Sequence, residues 1–214
     1  MKKHVCILAG IFVLAFALCL PALADEGAPY GLRDGERYEL NVFLSNFTEQ
    51  AFTAYNAQTS DAALSEFAAL HLWVNRHDAW EVGDWPQGSF RIPASDLPGV
   101  CLRFFGREPK NLAPLYLGFD GAYVYRDVED SGDTRGFASV SHVEALGGGV
   151  YRAYFGGYGA GALWDNEDCR LRPEEAAAKY ADFPVYTGTA LIRSDDGTLG
   201  DRRAFVLLEL TIGD

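Results

Sequence analysis

Two stretches of this chain combine carboxylates with tryptophan, Trp80-Glu81-Val-Gly-Asp84-Trp85 and Trp164-Asp165-Asn-Glu167-Asp168. The mixture suits sugar or peptidoglycan chemistry, in which one acid protonates the leaving oxygen, a second acts as base or nucleophile, and an indole offers the sugar a face. Acids are abundant throughout, however, with 30 Asp and Glu in 214 residues, and loop tryptophans commonly cover the edge of a core. Trp80, Glu81, Asp84, Trp85, Trp164, Asp165 and Glu167 are therefore read as candidate ligand-binding residues, with binding ranked ahead of catalysis.

Other chemistries find less support. His71 and His77 are six apart on one expected helix, about 240° around its axis, so they cannot clasp one ion as an i, i+4 pair does. His71 instead shares a face with Phe67 and Val74 and reads as a core or boundary histidine. No His-Glu-x-x-His occurs, and no metal site is expected. Nucleophilic catalysis needs a serine or cysteine beside a base. There is no Gly-x-Ser-x-Gly elbow, and Ser139 and Ser141 alternate with His142 along an expected strand. Asp127-Val-Glu129-Asp-Ser131-Gly132-Asp133 begins like a calcium loop, yet Ala138 stands where the bidentate glutamate belongs. Neither a Walker loop nor a dinucleotide fingerprint is present, so no cofactor is implied.

The compartment is legible at the N-terminus. Met1-Lys2-Lys3-His4 supplies a positive start, Val5 to Leu20 is an apolar run, and Ala22-Leu23-Ala24 is a small-x-small exit for signal peptidase. The run is shorter than the roughly 20 residues of a membrane span and stops at Pro21. Leu18 before Cys19 departs from the small residue that lipid modification requires. Residues 1–24 are thus expected to be a cleaved signal peptide, and residues 25–214 a single soluble domain, periplasmic or secreted. Without the leader's two lysines, that domain carries a formal charge of −14. Such a surface disfavours nucleic acid and anionic lipid, whose binding depends on Lys and Arg. Cys101 and Cys169 remain after cleavage and are a disulfide candidate, since an oxidising compartment permits them to pair. A bridge closing about 68 residues would contribute about 4 kcal/mol in the chain-entropy model; two separate buried thiols are the alternative.

The elements expected to hold these residues run from helix-rich to strand-rich, the order of a segregated α+β fold. Tyr38 to Leu44 alternates apolar residues at period two and is read as a first strand, followed by a short helix from Asn46 to about Tyr55. Ser60 or Asp61 caps a helix running to Val74, with Leu64, Phe67, Ala68, His71 and Val74 on one face. Ser95 to Phe105 forms another, stopped by Gly106, while Glu81 to Gly88 reads as a loop. Three hairpins follow. The first turns at Asp120-Gly121 in a type I′ geometry, the second at Gly147-Gly148-Gly149, and the third at Asp195 to Asp201. A short helix, Pro173 to Tyr180, separates the last two. The last strand is expected to bury Ala204, Val206, Leu208, Leu210 and Ile212. The whole is drawn as N-terminal helices packed on a curved, mostly antiparallel C-terminal sheet.

Tyr38-Glu-Leu-Asn-Val-Phe-Leu-Ser-Asn-Phe-Thr-Glu49 resembles a group of uncharacterised exported bacterial proteins, many of them lipoproteins. The likeness continues through Gly121-Ala-Tyr-Val-Tyr125, Val143 to Phe155 and Gly188 to Arg193. It implies export and an α+β fold, and carries over no functional residue. Together these features point to a non-enzymatic exported domain that binds a protein or a cell-envelope glycan through its sheet or hairpin loops. An envelope hydrolase using paired carboxylates and a secreted inhibitor of a basic enzyme are the alternatives.

Overall fold

A computed structural model describes residues 27–127, 136–183 and 185–213, so the leader and most of the Asp127–Asp133 loop lie outside the described residues. The fold is α+β, with four α-helices and two antiparallel sheets in place of the one expected. The larger sheet orders its strands β1 (Ala28–Pro29), β7 (Phe137–Gly147), β8 (Val150–Tyr158), β9 (Tyr186–Ser194), β10 (Phe205–Gly213) and β2 (Ala54–Tyr55). The smaller orders β3 (Glu81–Trp85), β4 (Gly88–Pro93), β6 (Tyr123–Arg126) and β5 (Gly118–Phe119). Among the described residues no helix is long and apolar enough to cross a membrane.

The expected strand at Tyr38–Leu44 is instead the middle of a helix, α1 (Asp34–Thr48), which also takes in the start of the helix expected from Asn46. Beside the period-two pattern lies a second one: Leu40, Phe43, Leu44 and Phe47 fall at i, i+3, i+4 and i+7, and all four are fully buried. The helical pattern wins because α1 also has a polar stripe with a structural task. Asn41 Oδ1 accepts the Val140 amide at 2.8 Å and its Nδ2 donates to the Cys169 carbonyl at 2.8 Å. Ser45 Oγ accepts the Ala138 amide, Thr48 Oγ1 donates to the Gly136 carbonyl, and Arg37 donates to the Val140 carbonyl. Side chains of α1 thereby stand in for the strand that β7 lacks beyond its two-residue pairing with β1. Buried backbone groups must find partners, and here a helix supplies them.

The second helix, α2 (Asp61–Asn75), is capped as expected, with Ser60 Oγ accepting the Ala63 amide. Leu64, Phe67 and Ala68 are buried, but Val74 is exposed and His71 only half-buried. A 3₁₀ turn at Ala94–Asp96 leads into α3 (Leu97–Phe105), which stops where Gly106 takes φ +65°. That left-handed conformation suits glycine at a helix end. The expected loop at Glu81–Gly88 is the β3–β4 hairpin, turning through Pro86-Gln87. The hairpin at Asp120-Gly121 forms, but not as a type I′ turn, because only Gly121 has positive φ. Asp120 closes it by accepting the Ala122 and Tyr123 amides at 2.9 and 2.8 Å. The two later hairpins and α4 (Pro173–Lys179) form where expected.

In β10 the expected inward face is half wrong. Leu207 pairs with Ile192 and Glu209 with Leu191, so Leu208 is an extra residue that reverses the alternation. Phe205 and Leu207 face the core before this bulge, Leu210 and Ile212 after it, while Leu208 is only half-buried. Val206 is buried as well, where α3 ends at Gly106.

The main core is an aromatic lattice drawn from α1, α2, α3 and β10. Phe47 stacks on Phe67 at 5.2 Å, and Phe43 contacts Phe104 at 5.8 Å and Phe205 at 5.5 Å. A second cluster gathers Phe137, Tyr158, Cys169, Ala176 and Tyr180. No disulfide forms. Cys101 and Cys169 are free and buried in different clusters, Cys101 donating its thiol to the Leu64 carbonyl and Cys169 beside Ser45 Oγ.

Candidate functional site

At one end of the aromatic lattice, α1, α2 and α3 diverge around a cleft of about 590 Å³, within the size range of small-molecule sites. Each helix contributes one face. Val42, Ser45, Asn46 and Glu49 come from α1 and its C-cap, and His71, Leu72, Asn75 and Arg76 from the end of α2. Asp96, Val100, Arg103 and Phe104 come from α3 and the turn before it, with Asn166 and Arg202 closing the rim. The lining mixes apolar and polar side chains.

His71 sits where the lattice meets the cleft, its ring 4.7 Å from Phe104 and 6.0 Å from Phe67. Its Nδ1 lies 3.2 Å from the Asn75 amide nitrogen. Burial, reinforced by the Arg103 charge, lowers its pKa to about 4, so the ring is neutral at physiological pH. Glu49 shows the opposite response. Burial raises its carboxyl to about 7, only partly offset by the Asn75 amide, and its Oε2 is buried with no hydrogen-bond partner. A carboxyl shifted toward neutrality in a cleft is a candidate functional group.

The cations differ in how fully they are occupied. Arg76 is paired with Asp78 and Arg202 with Glu39, the latter at 2.7 Å. Arg103 has no ion pair among the described residues. It donates to the Phe205 and Arg202 carbonyls and lies over the Phe104 ring at 5.0 Å. Burial, together with Arg202 and only partly offset by Asp201, lowers its pKa. A guanidinium has five N–H donors, and these two bonds use one on each terminal nitrogen. The cleft thus holds a cation that forms no ion pair among the described residues and a carboxyl with one unpartnered oxygen.

The seven residues singled out by composition lie elsewhere, and none lines this cleft. Trp80 is buried in the core, its ring edge-on to Trp73 at 5.2 Å. Glu81 pairs with Arg91 across the β3–β4 hairpin, Asp84 is exposed, and Trp85 stacks on the Arg91 guanidinium at 4.3 Å. Arg91 also covers Tyr123 at 4.1 Å. Trp164 packs on Phe137 in the second cluster, Asp165 is exposed, and Glu167 pairs with Arg170. Their neighbour Asp168 is buried instead. Burial raises its carboxyl, but Lys179, the Asp165 amide and Tyr180 outweigh it and leave the pKa lowered.

Among the described residues no serine–histidine couple forms. Ser139 and Ser141 donate to the Leu171 and Tyr154 carbonyls, and His142 stacks on Tyr154 at 4.1 Å. Among the described residues no group of three or more His, Cys, Asp or Glu side chains is placed to hold a metal ion. Burial pushes both thiols up to about 12, away from the thiolate form. The residues that sequence reasoning missed are Glu49, Asn75, Arg103 and Arg202. Asn41, Ser45 and Glu49 recur every fourth residue beside the apolar stripe, a signal visible only once this segment is read as a helix. Comparisons with family models, curated proteins and solved structures find no match to the chain.

Proposed function

We propose that this is an exported protein that binds a small polar ligand in the α1–α2–α3 cleft without bonding to it covalently. Export rests on the leader composition of residues 1–24. The binding reading is carried by one observation: the cleft presents a buried carboxyl oxygen without a hydrogen-bond partner, Glu49 Oε2, together with a guanidinium, Arg103, that forms no ion pair among the described residues. Groups left unsatisfied in this way disfavour the empty state and are relieved by a ligand that complements them. Among the described residues the cleft also lacks a free hydroxyl or thiol. Its one lining hydroxyl, Ser45, donates to the Asn41 carbonyl at 2.7 Å and accepts the Ala138 amide at 3.0 Å.

The test is a thermal-shift screen of organic acids, amines, amino acids and sugars against the protein and its Glu49→Gln variant. At least one class should stabilise the protein, and Glu49→Gln should weaken that class about tenfold or more, while Glu81→Gln on the β3 hairpin leaves it unchanged. Stabilisation indifferent to Glu49→Gln would place the ligand elsewhere. Export predicts an N-terminus at Asp25 in protein recovered outside the cytoplasm. A second reading, acid–base hydrolysis in the same cleft, draws on the titration of Glu49 near pH 7; chemical change of the bound ligand would select it.

A further inference from the structure

Resting on the cleft as a binding site, we infer that its ligand is a small zwitterion, an amino acid or short peptide, with its ammonium toward Glu49 and its carboxylate toward Arg103. Glu49 Oε2 is an acceptor without a donor, and an ammonium brings three donors and the charge that matches an ionised carboxylate. Arg103 supplies the other pole. Arg202 and Arg76 already hold carboxylates, while Arg103 has none among the described residues and keeps N–H groups beyond the two used on backbone carbonyls. Arginine is suited to this because its planar fork matches a carboxylate.

The rest of the cleft fits such a molecule. Val42, Leu72, Val100 and Phe104 give the lining apolar surface for a side chain, and Asn46, Asn75 and Asn166 add neutral amides. His71 adds a polar ring without a net charge. With Glu49 ionised, one molecule carrying both charges answers the two groups together.

Calorimetric titration at neutral pH would use the proteinogenic amino acids singly, then Ala-Ala and Ala-Ala-Ala, each beside its N-acetyl and C-amide derivative. A free zwitterion should bind, and each blocking group should weaken it about tenfold or more. Glu49→Gln should abolish the penalty for N-acetylation, and Arg103→Gln the penalty for amidation. Preference for single amino acids over the peptides, or the reverse, assigns the source. If blocked and free forms bind equally while Glu49→Gln still weakens both, the zwitterion inference is wrong and the cleft reading stands. If no zwitterion binds but another class does so in a Glu49-dependent way, the result is the same. Binding that neither substitution alters overturns both.

Discussion

Glu49 and His71 are the two residues whose ionisation the fold shifts most informatively, and in opposite senses. The Glu49 carboxyl is raised from 4.5 to about 7, so between those values the native state holds a proton that the unfolded chain has released. Its contribution to stability therefore falls as pH rises through that window, by up to about 3 kcal/mol above it. Glu49→Gln should gain on the parent protein progressively from about pH 4.5 to 7 and then level off, as urea denaturation across pH would show. His71 is lowered from 6.5 to about 4, so acidification below 6.5 favours the unfolded state, which takes up the proton first. His71→Gln should lose this acid sensitivity. Two glycines are residue-scale features of another kind. A Cβ on Gly188 would lie 2.3 Å from the Phe155 ring, and one on Gly157 would lie 1.8 Å from Tyr186. Gly188→Ala and Gly157→Ala should each destabilise by about 2 kcal/mol or more in thermal or denaturant unfolding, whereas Gly213→Ala, with open space around it, should not.

Among the elements, α1 shows why part of the fold was legible in the sequence and part was not. Elements whose signals are local came through: Ser60 capping α2, Gly106 ending α3, and the glycine-rich turn between β7 and β8. For α1 two periodicities competed, and the deciding contacts are with residues about a hundred positions away, such as Asn41 to Val140. The parity switch in β10 depends on one extra residue that no alternation rule can locate. Asn41→Ala should therefore cost about 2 to 4 kcal/mol in chemical denaturation, because it strands the Val140 amide and the Cys169 carbonyl. Asn46→Ala should cost less. Its side chain is half-buried and only repeats bonds to the helix's own carbonyls of Val42 and Phe43. The candidate site was illegible for a related reason. Glu49, His71, Asn75 and Arg103 sit on three helices without a spacing motif, and their chemistry comes from burial. The tryptophan–carboxylate clusters had the composition of a site, but Glu81 and Glu167 are spent on arginines and the Trp85 ring is covered by one.

At the scale of the whole molecule, the two thiols are held apart by the division of the interior into two clusters. Reducing agent should leave the melting temperature unchanged, and iodoacetamide should modify Cys101 and Cys169 quickly only after unfolding. A reductant-induced drop in melting temperature would mean that they pair. The larger sheet carries a further consequence at the side where α1 replaces a strand. An open strand edge is a template on which a second copy of the same chain can extend the sheet, the first step toward fibrils. The amides of Ala138 and Val140 are already taken by Ser45 and Asn41, and a helix cannot hand that pattern on to a newcomer. Protection of this edge is in this sense a property of α1. Undocking that one helix, without unfolding the strands, should be enough to start polymerisation.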